Sequence, residues 1–382
     1  MKQAPKIIIL IFLVLLLIAE ICFFFEVLPF GAEKPVPTEA PTEAPTQAPT
    51  EAPTAPPTEP PTEAPTDPPD VSYTITLVGD CTLGTYKDKW YSGYGFILTV
   101  GEDYDYPFAN VRQYFENDDL TLANLEVVLA DKGTSINKTF TFRGPTAYTQ
   151  ILTGSSVEAV TLANNHTRDF GDAGYESTKQ VLTDAGVQFA EEYSSTIITL
   201  DKGMKVAMYA FNEAVYRIDD DRALKDIKKL KEDGADLVIV AAHWGNEGEY
   251  QPTERQQTLG KALIDAGADI VYGHHPHVLQ HFEQYNDGII YYSLGNFCFG
   301  GHTNPRDKDS VIVQQEVIQS HDGTVTLGQI TLIPCSLSST EDRNSYQPTP
   351  CEPGSERYNR VMEKVTGSYD GKNLVIDYSS FQ

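Results

Sequence analysis

The sequence has no Cys-x-x-Cys pair, no glycine-rich phosphate loop and no Gly-x-Ser-x-Gly. The first absence removes support for a zinc ribbon or a thioredoxin-type site. LVGDCTLG (77–84) comes nearest to a phosphate loop, yet has neither GxGxxG nor a P-loop lysine. Without the nucleophile elbow, a serine hydrolase of the α/β type is unsupported. Basic residues are scarce as well, 28 against 54 acidic ones, for a net charge of -26. That balance argues against non-specific binding to nucleic acid, and no nucleic-acid partner is expected. Only five cysteines occur: Cys22, Cys81, Cys298, Cys335 and Cys351. Glu20-Ile21-Cys22 lacks the small residue that precedes a lipoprotein acceptor. Cys335 and Cys351 flank a Ser/Pro/Thr-rich loop, and a disulfide between them in an oxidising compartment is left open.

Composition divides the 382 residues into three parts. Residues 1–30 hold Lys2 and Lys6 followed by a nearly continuous apolar run, long enough for one membrane crossing. A cleaved signal peptide competes with this reading, but no small-x-small site follows closely. The expectation is therefore a signal-anchor helix in the cytoplasmic membrane through residues 7–30. Its amino terminus would be cytoplasmic and the rest of the chain extracellular, in a single-pass arrangement. Residues 31–71 repeat Pro-Thr-Glu-Ala with a period of four. Proline excludes helix and sheet there, so a disordered, extended, acidic stalk is expected. Residues 72–382 alone have the composition of a folded domain.

Within that domain, apolar runs alternate with amphipathic stretches. YTITLVGD (73–80), DLTLANLE (119–126), VEAVTLANNH (157–166), MKVAMYAF (204–211), ADLVIVAAHWGNE (235–247) and GIIYYSLGNF (288–297) read as strands. Residues 171–186, 223–234 and 253–267 read as helices, the first two closed by Gly186 and Gly234. VIVQQEVIQ and VTLGQITLIP form a late hairpin. Strand–helix alternation with polar residues at strand ends predicts an α/β domain whose site lies at the carboxyl edge of the sheet.

GHHPHVLQ (273–280) places three histidines within four positions after such a strand. Asp80, Glu126, Asn165, His243, His275 and His277 each follow a predicted strand, so they converge although far apart in sequence. Two carboxylates, three imidazoles and an amide oxygen suit Mn, Fe or Zn better than calcium. Six ligands serve two divalent ions when water completes their shells, and such a pair activates hydroxide at a phosphoryl or acyl centre. His166, beside Asn165, then faces substrate as a general acid or electrostatic partner. His274 is expected to point away, because neighbours in an extended segment alternate. Singly, each residue has a plainer explanation: Asp80 as a cap or turn, Asn124 as a turn residue, His243 as a core histidine.

GDCTLG, NLE, FRGP, ANNHTRDFG, HWGNE, GHHPHVLQ and YSLGNF, in that order through residues 74–300, resemble the bacterial CapA or poly-gamma-glutamate biosynthesis (PgsA-type) family. That family is a branch of the calcineurin-like metallophosphoesterases. The resemblance implies a four-layer α/β/β/α sandwich with a dinuclear metal centre. It places ligands on Asp80, Glu126 (the bridging carboxylate), Asn165, His243, His275 and His277, and the catalytic histidine on His166. The sequence departs from the wider superfamily at Thr82, where Asp-x-His has its histidine, and in having Glu126 rather than an aspartate.

Arg143 in FRGP grips an anionic group or forms a structural salt bridge. Asp169 either orients His166 or caps the following helix. Asn124, Glu247 and Asn296 are expected to orient ligands or water. Cys298 reads as a small buried residue, and 338–355 as a lid or a surface excursion. The implied function is a membrane-anchored, metal-dependent hydrolase or transferase in making, exporting or attaching an anionic surface polymer. Its partners would be that polymer or its precursor and a capsule synthesis and export complex in the membrane. A phosphoesterase or amide hydrolase on another envelope polymer, and a non-catalytic assembly subunit with structural metals, are the alternatives.

Overall fold

Buried strands end in the polar residues that the sequence singled out, and their pairing decides where those residues meet. The computed structural model describes residues 68–86 and 93–375. Strands are numbered along the chain. The first sheet holds β1 (Val71–Thr82), β3 (Leu120–Leu125), β6 (Ala159–Thr161), β7 (Gln188–Ala190), β14 (Asn296–Phe299), β15 (Asp309–Gln319), β16 (Val325–Ser336) and β17 (Thr349–Pro350). Its order is β17-β16-β15-β1-β3-β6-β7, with β14 also on β1. The second holds β8 (Ser194–Thr199), β9 (Lys205–Asn212), β10 (Leu237–His243), β11 (Ile270–His274), β12 (Leu279–Tyr285) and β13 (Gly288–Leu294), in the order β12-β13-β11-β10-β9-β8. A small third sheet joins β2 (Thr85–Tyr86), β5 (Phe142–Gly144) and β4 (Val128–Leu129).

Alternation along the central strands sorts side chains into three apolar layers. Ile75, Leu77 and Leu122 face Met208, Ile239 and Tyr272 across the middle core. Val78, Leu125 and Val160 pack outward under Phe108, Ile151 and Leu182. Val238, Val240 and Val271 pack outward under Ile227 and Leu263. The outer helices on the first sheet are α1 (Phe96–Val100), α2 (Arg112–Phe115), α3 (Thr149–Thr153) and α4 (Gly171–Asp184). Those on the second are α5 (Asp220–Glu232) and α6 (Glu254–Asp265). The expected four-layer α/β/β/α sandwich is therefore present. Strands covered on both faces explain why LVIVAA (237–242) is apolar throughout, up to His243 at the strand end.

Local chemistry fixes the helix ends. Asp219 accepts from the Arg222 amide, and α5 runs from acidic residues to Lys229 and Lys231, complementing its dipole. Thr253 and Gln256 form a capping box at the start of α6. A further helix, α7 (Glu356–Thr366), sends Val361 and Val365 into the middle core.

Several expectations need correction. Among the described residues no helix is long and apolar enough to cross a membrane. The expected anchor (7–30) and all but the last residues of the expected stalk lie outside the described residues. The transmembrane helix, the stalk, the single-pass topology and the membrane contact are accordingly withdrawn from the description of the fold and its location. The folded part also begins earlier than 72, because Val71 already pairs with Gln319. Segment 338–355 is exposed toward both ends but is pinned at its middle, where Tyr346 is fully buried and its hydroxyl donates to the Tyr94 carbonyl at 2.7 Å. The thiols of Cys335 and Cys351 are free, so no bridge joins them.

Candidate metal centre

Parallel pairing brings the strand ends into line. Asp80 on β1 is in register with Asn124 on β3 and Asn296 on β14, and His243 on β10 with His274 on β11. Two glycines let the backbones close in beside these residues. A Cβ on Gly79 would lie 2.0 Å from the Gly295 carbonyl oxygen, and one on Gly273 would lie 2.0 Å from that of Tyr292. The ligand turn itself has unusual backbone: His275 and His277 have φ of 93° and 57°, with Pro276 between them.

Asp80 is fully buried and heavily solicited. Its Oδ1 accepts from the Asn124 amide at 2.8 Å and lies 3.3 Å from His274 Nδ1; its Oδ2 lies 3.2 Å from His277 Nδ1. Burial alone would raise its pKa, but the two imidazoles hold it well below the usual carboxylate range. Glu126 is the opposite case. It is fully buried, and neither carboxylate oxygen has a hydrogen-bond partner. Burial, then the charge of Asp80, pushes its pKa well above normal. A dry, unbonded carboxylate is costly unless something positive sits against it.

The positive partner can be supplied at that place. Ligand atoms of Glu126, His275 and His277 lie within 4.8 Å of one another, a group that could hold a metal ion. His275 Nδ1 is buried without a partner, and burial next to His277 lowers this imidazole's pKa to about 4, which keeps it neutral, as a ligand must be. Burial pulls His277 down too, but Glu126 and Asp80 outweigh it and push its pKa up to about 10. The same negative field would receive a cation. His243 adds a second convergence: its Nε2 lies 3.0 Å from Asn165 Oδ1 and 3.6 Å from Glu126 Oε1. Burial and the neighbouring His275 hold this imidazole neutral, well below its ordinary pKa. The mixed oxygen and nitrogen donors fit Mn, Fe or Zn.

Beside this group, His166 Nδ1 lies 2.6 Å from Asp169 Oδ2. Burial lowers the His166 pKa, with Asp169 opposing it. Asp169 also accepts from the Phe142 amide at 2.7 Å, and it makes no helix cap, so the alternative left open by the sequence resolves toward His166. Asn296 lies with Oδ1 3.0 Å from His277 Nδ1 and donates to the His277 carbonyl at 3.1 Å. Asn124 links Asp80 to Asn164, and Glu247 lines the cavity over the cluster. That cavity, of about 280 Å³, is walled by Phe142, Phe299 and Leu374 and floored by His166 and His277.

Two residues depart from expectation. Arg143 does not line this cavity; its guanidinium donates to the Gly133 carbonyl at 3.3 Å and stacks over Phe170. His274 is not a bystander, because its buried ring turns in to Asp80. Lys138 was missed altogether. Its Nζ lies 2.7 Å from the Asn165 carbonyl, 3.2 Å from His166 Nδ1 and 3.1 Å from Asp169 Oδ1. A lysine between Asn137 and Thr139, in a loop without periodicity, carries no signal that would have found it.

Fold and site together define a two-sheet α/β sandwich protein with a cation-ready cluster at the carboxyl ends of its strands. The chain belongs to the bacterial capsule synthesis protein family PGA_cap, whose family model matches residues 74–301. It is 33% identical over 303 residues to the capsule biosynthesis protein CapA of Bacillus anthracis, covering 71% of each chain. It is 29% identical over 314 residues to the PGA biosynthesis protein CapA of Bacillus subtilis, covering 76% of this chain and 77% of that one. A probable polyglutamine synthesis accessory protein of Mycobacterium tuberculosis is 25% identical over 249 residues, with 54% of this chain and 64% of that one covered. Among solved structures, the NAD nucleotidase of Haemophilus influenzae aligns with a TM-score of 0.40 at 12% identity, across 82% of this chain and 59% of that one.

Proposed function

We propose that this chain performs a metal-dependent step in the making or attachment of an anionic surface polymer, poly-gamma-glutamate or capsular material. The observation that carries the proposal is Glu126, buried, unbonded and within reach of His275 and His277. Two divalent ions would be held by Asp80, Glu126, Asn165, His243, His275 and His277. Bound there, they would supply Lewis acidity and an activated water for attack on a phosphoryl or amide centre.

The chain's own residues do the rest. Asp169 accepts the hydrogen bond of the His166 Nδ1 proton, which leaves Nε2 unprotonated to take a proton from the attacking group. Lys138 neutralises Asp169 and ties it to the Asn165 backbone. Phe142, Phe299 and Leu374 exclude water from one side of the reacting group. Asn124 and Asn296 orient Asp80 and His277. The family membership supports the polymer; its chemistry is carried over from relatives described as acting in capsule, PGA and polyglutamine synthesis.

The word accessory in the mycobacterial relative's description favours a second reading, in which the metals are structural and the chain assists assembly without turnover. One experiment separates them. Metal content of the full chain is measured by mass spectrometry, then turnover of poly-gamma-glutamate and of phosphodiester and phosphomonoester substrates, in wild type and His166→Ala. Turnover lost in the variant with metal retained supports catalysis. Metal without turnover on any substrate supports assembly, and a chain that takes up no transition metal rejects both.

A further inference from the structure

A second cavity, of about 540 Å³, lies against the one over the metal cluster and shares with it the segment 304–307. Arg306, Lys308, Arg357, Arg360 and Lys364 all line it. In a chain with 54 acidic and 28 basic residues, that concentration reverses the general sign. Acidic neighbours engage three of these bases. Asp309, beneath the cavity, takes both Arg360 contacts at 2.7 Å and Lys364 at 2.8 Å, and Asp307 takes Lys364 at 2.6 Å. Glu341 pairs with Arg357 from an exposed rim position. Glu356, also exposed, stands 3.6 Å from Arg360, so the acids that line the cavity itself are two, Asp307 and Glu341, beside five bases.

Two of the bases are committed to neutral oxygens. Lys308 is mostly buried and donates to the Glu341 backbone carbonyl at 2.6 Å, and Arg306 donates to the Val375 carbonyl at 3.1 Å. Burial lowers the Lys308 pKa, against the opposing charges of Glu341 and Asp342, and the Arg357 guanidinium acts in the same direction as burial. A cation held this way, in a cavity lined by more bases than acids, is suited to receiving an anion from outside.

We propose that this cavity is a subsite for a carboxylate-bearing polymer, whose chain passes along residues 304–307 into the cavity over Glu126, His275 and His277. The inference rests on the proposed polymer function, which supplies the ligand's chemistry. Arg306 stands on the shared segment and meets the chain first, with Lys308 next to it in the second cavity. Arg357 holds it further out, releasing Glu341 as it does so.

The test is binding of fluorescent oligo-gamma-glutamate to the full chain, followed by anisotropy in a chelator so that nothing is turned over. The variants are Arg306→Gln with Lys308→Gln, Arg357→Gln alone, and Lys308→Arg as the charge-conserving control. Thermal melting and a metal titration on each variant establish that it is folded. Loss of two charge-assisted contacts weakens binding on the order of tenfold in the double variant, with a shallower salt dependence, while Lys308→Arg retains it. Unchanged binding in folded double and Arg357→Gln variants overturns the subsite. Polyphosphate bound as tightly, with the same losses, overturns the assignment to carboxylates. The metal titration keeps the two ideas apart. A chain that takes up metal but no oligoglutamate loses only the subsite. One that binds oligoglutamate through Lys308 but takes up no metal loses only the metal function.

Discussion

Asn296 holds His277 at both ends, its amide oxygen 3.0 Å from the ring Nδ1 and its amide nitrogen donating to the backbone carbonyl at 3.1 Å. His277 sits at φ 57°, a conformation that an L-residue keeps only when its surroundings impose it. If His277 is a ligand, as proposed, removing such a support costs about 10–100-fold in metal affinity. Asn296→Ala should therefore weaken Mn or Zn binding by at least about tenfold, measured by calorimetry. An unaltered affinity would show that the turn is self-supporting.

Metal should also be visible as stability. A ligand at about one hundred times its Kd stabilises the folded state by about 2.7 kcal/mol. The melting midpoint of the full chain should rise on adding Mn or Zn and fall with chelator. In Glu126→Gln the rise should disappear, because the carboxylate that would hold the cation is gone. A variant that gains as much as wild type would remove Glu126 from the ligand set.

Gly273 tests the close approach of backbones at the site. A methyl group there would meet the Tyr292 carbonyl oxygen at 2.0 Å and the Trp244 indole nitrogen at 2.5 Å. Gly273→Ala should destabilise by about 3 kcal/mol or more, read as a lower urea midpoint with unchanged slope. Tolerance of alanine would mean that β11 and β13 can separate without loss.

Acid stability should depend on Asp309. Burial raises its pKa, but Arg360 and Lys364 more than offset this and hold it below the ordinary value. A depressed folded pKa contributes stability that is present above the unfolded value, about 3.9, and is lost as pH falls through the folded one. Asp309→Asn leaves Lys364 short of one partner and should cost about 3 kcal/mol at neutral pH. That deficit should shrink on acidification below about pH 4, since only wild type then loses the interaction. Urea midpoints from neutral to acid pH provide the check.

The fold was legible where strands are covered on both faces, because LVIVAAH and its neighbours need no context to be read as buried. The candidate ligands were picked out by their places after those strands, and the structure brings Glu126, His275 and His277 within 4.8 Å of one another. What the sequence withheld came from tertiary neighbours. In FRGP the sequence leaves Arg143 between an anion grip and a structural salt bridge, and the fold sets it outside the cavity over the cluster, donating to the Gly133 carbonyl and lying over Phe170. His274 seemed excluded by strand alternation. The positive φ at His275 and His277 breaks that alternation just beyond it, so rings on both sides of the turn reach Asp80. Lys138 reaches across 28 residues to His166, a distance at which no local pattern survives.

The proposed ligands come from both halves of the sandwich. Asp80, Glu126 and Asn165 leave the first sheet, and His243, His275 and His277 leave the second. A cation gripped by both would act as a cross-link between layers otherwise joined there by apolar packing and a few polar contacts. Amide hydrogen exchange at the ends of β1, β3, β10 and β11 should then slow together when metal is added, as one cooperative unit rather than strand by strand.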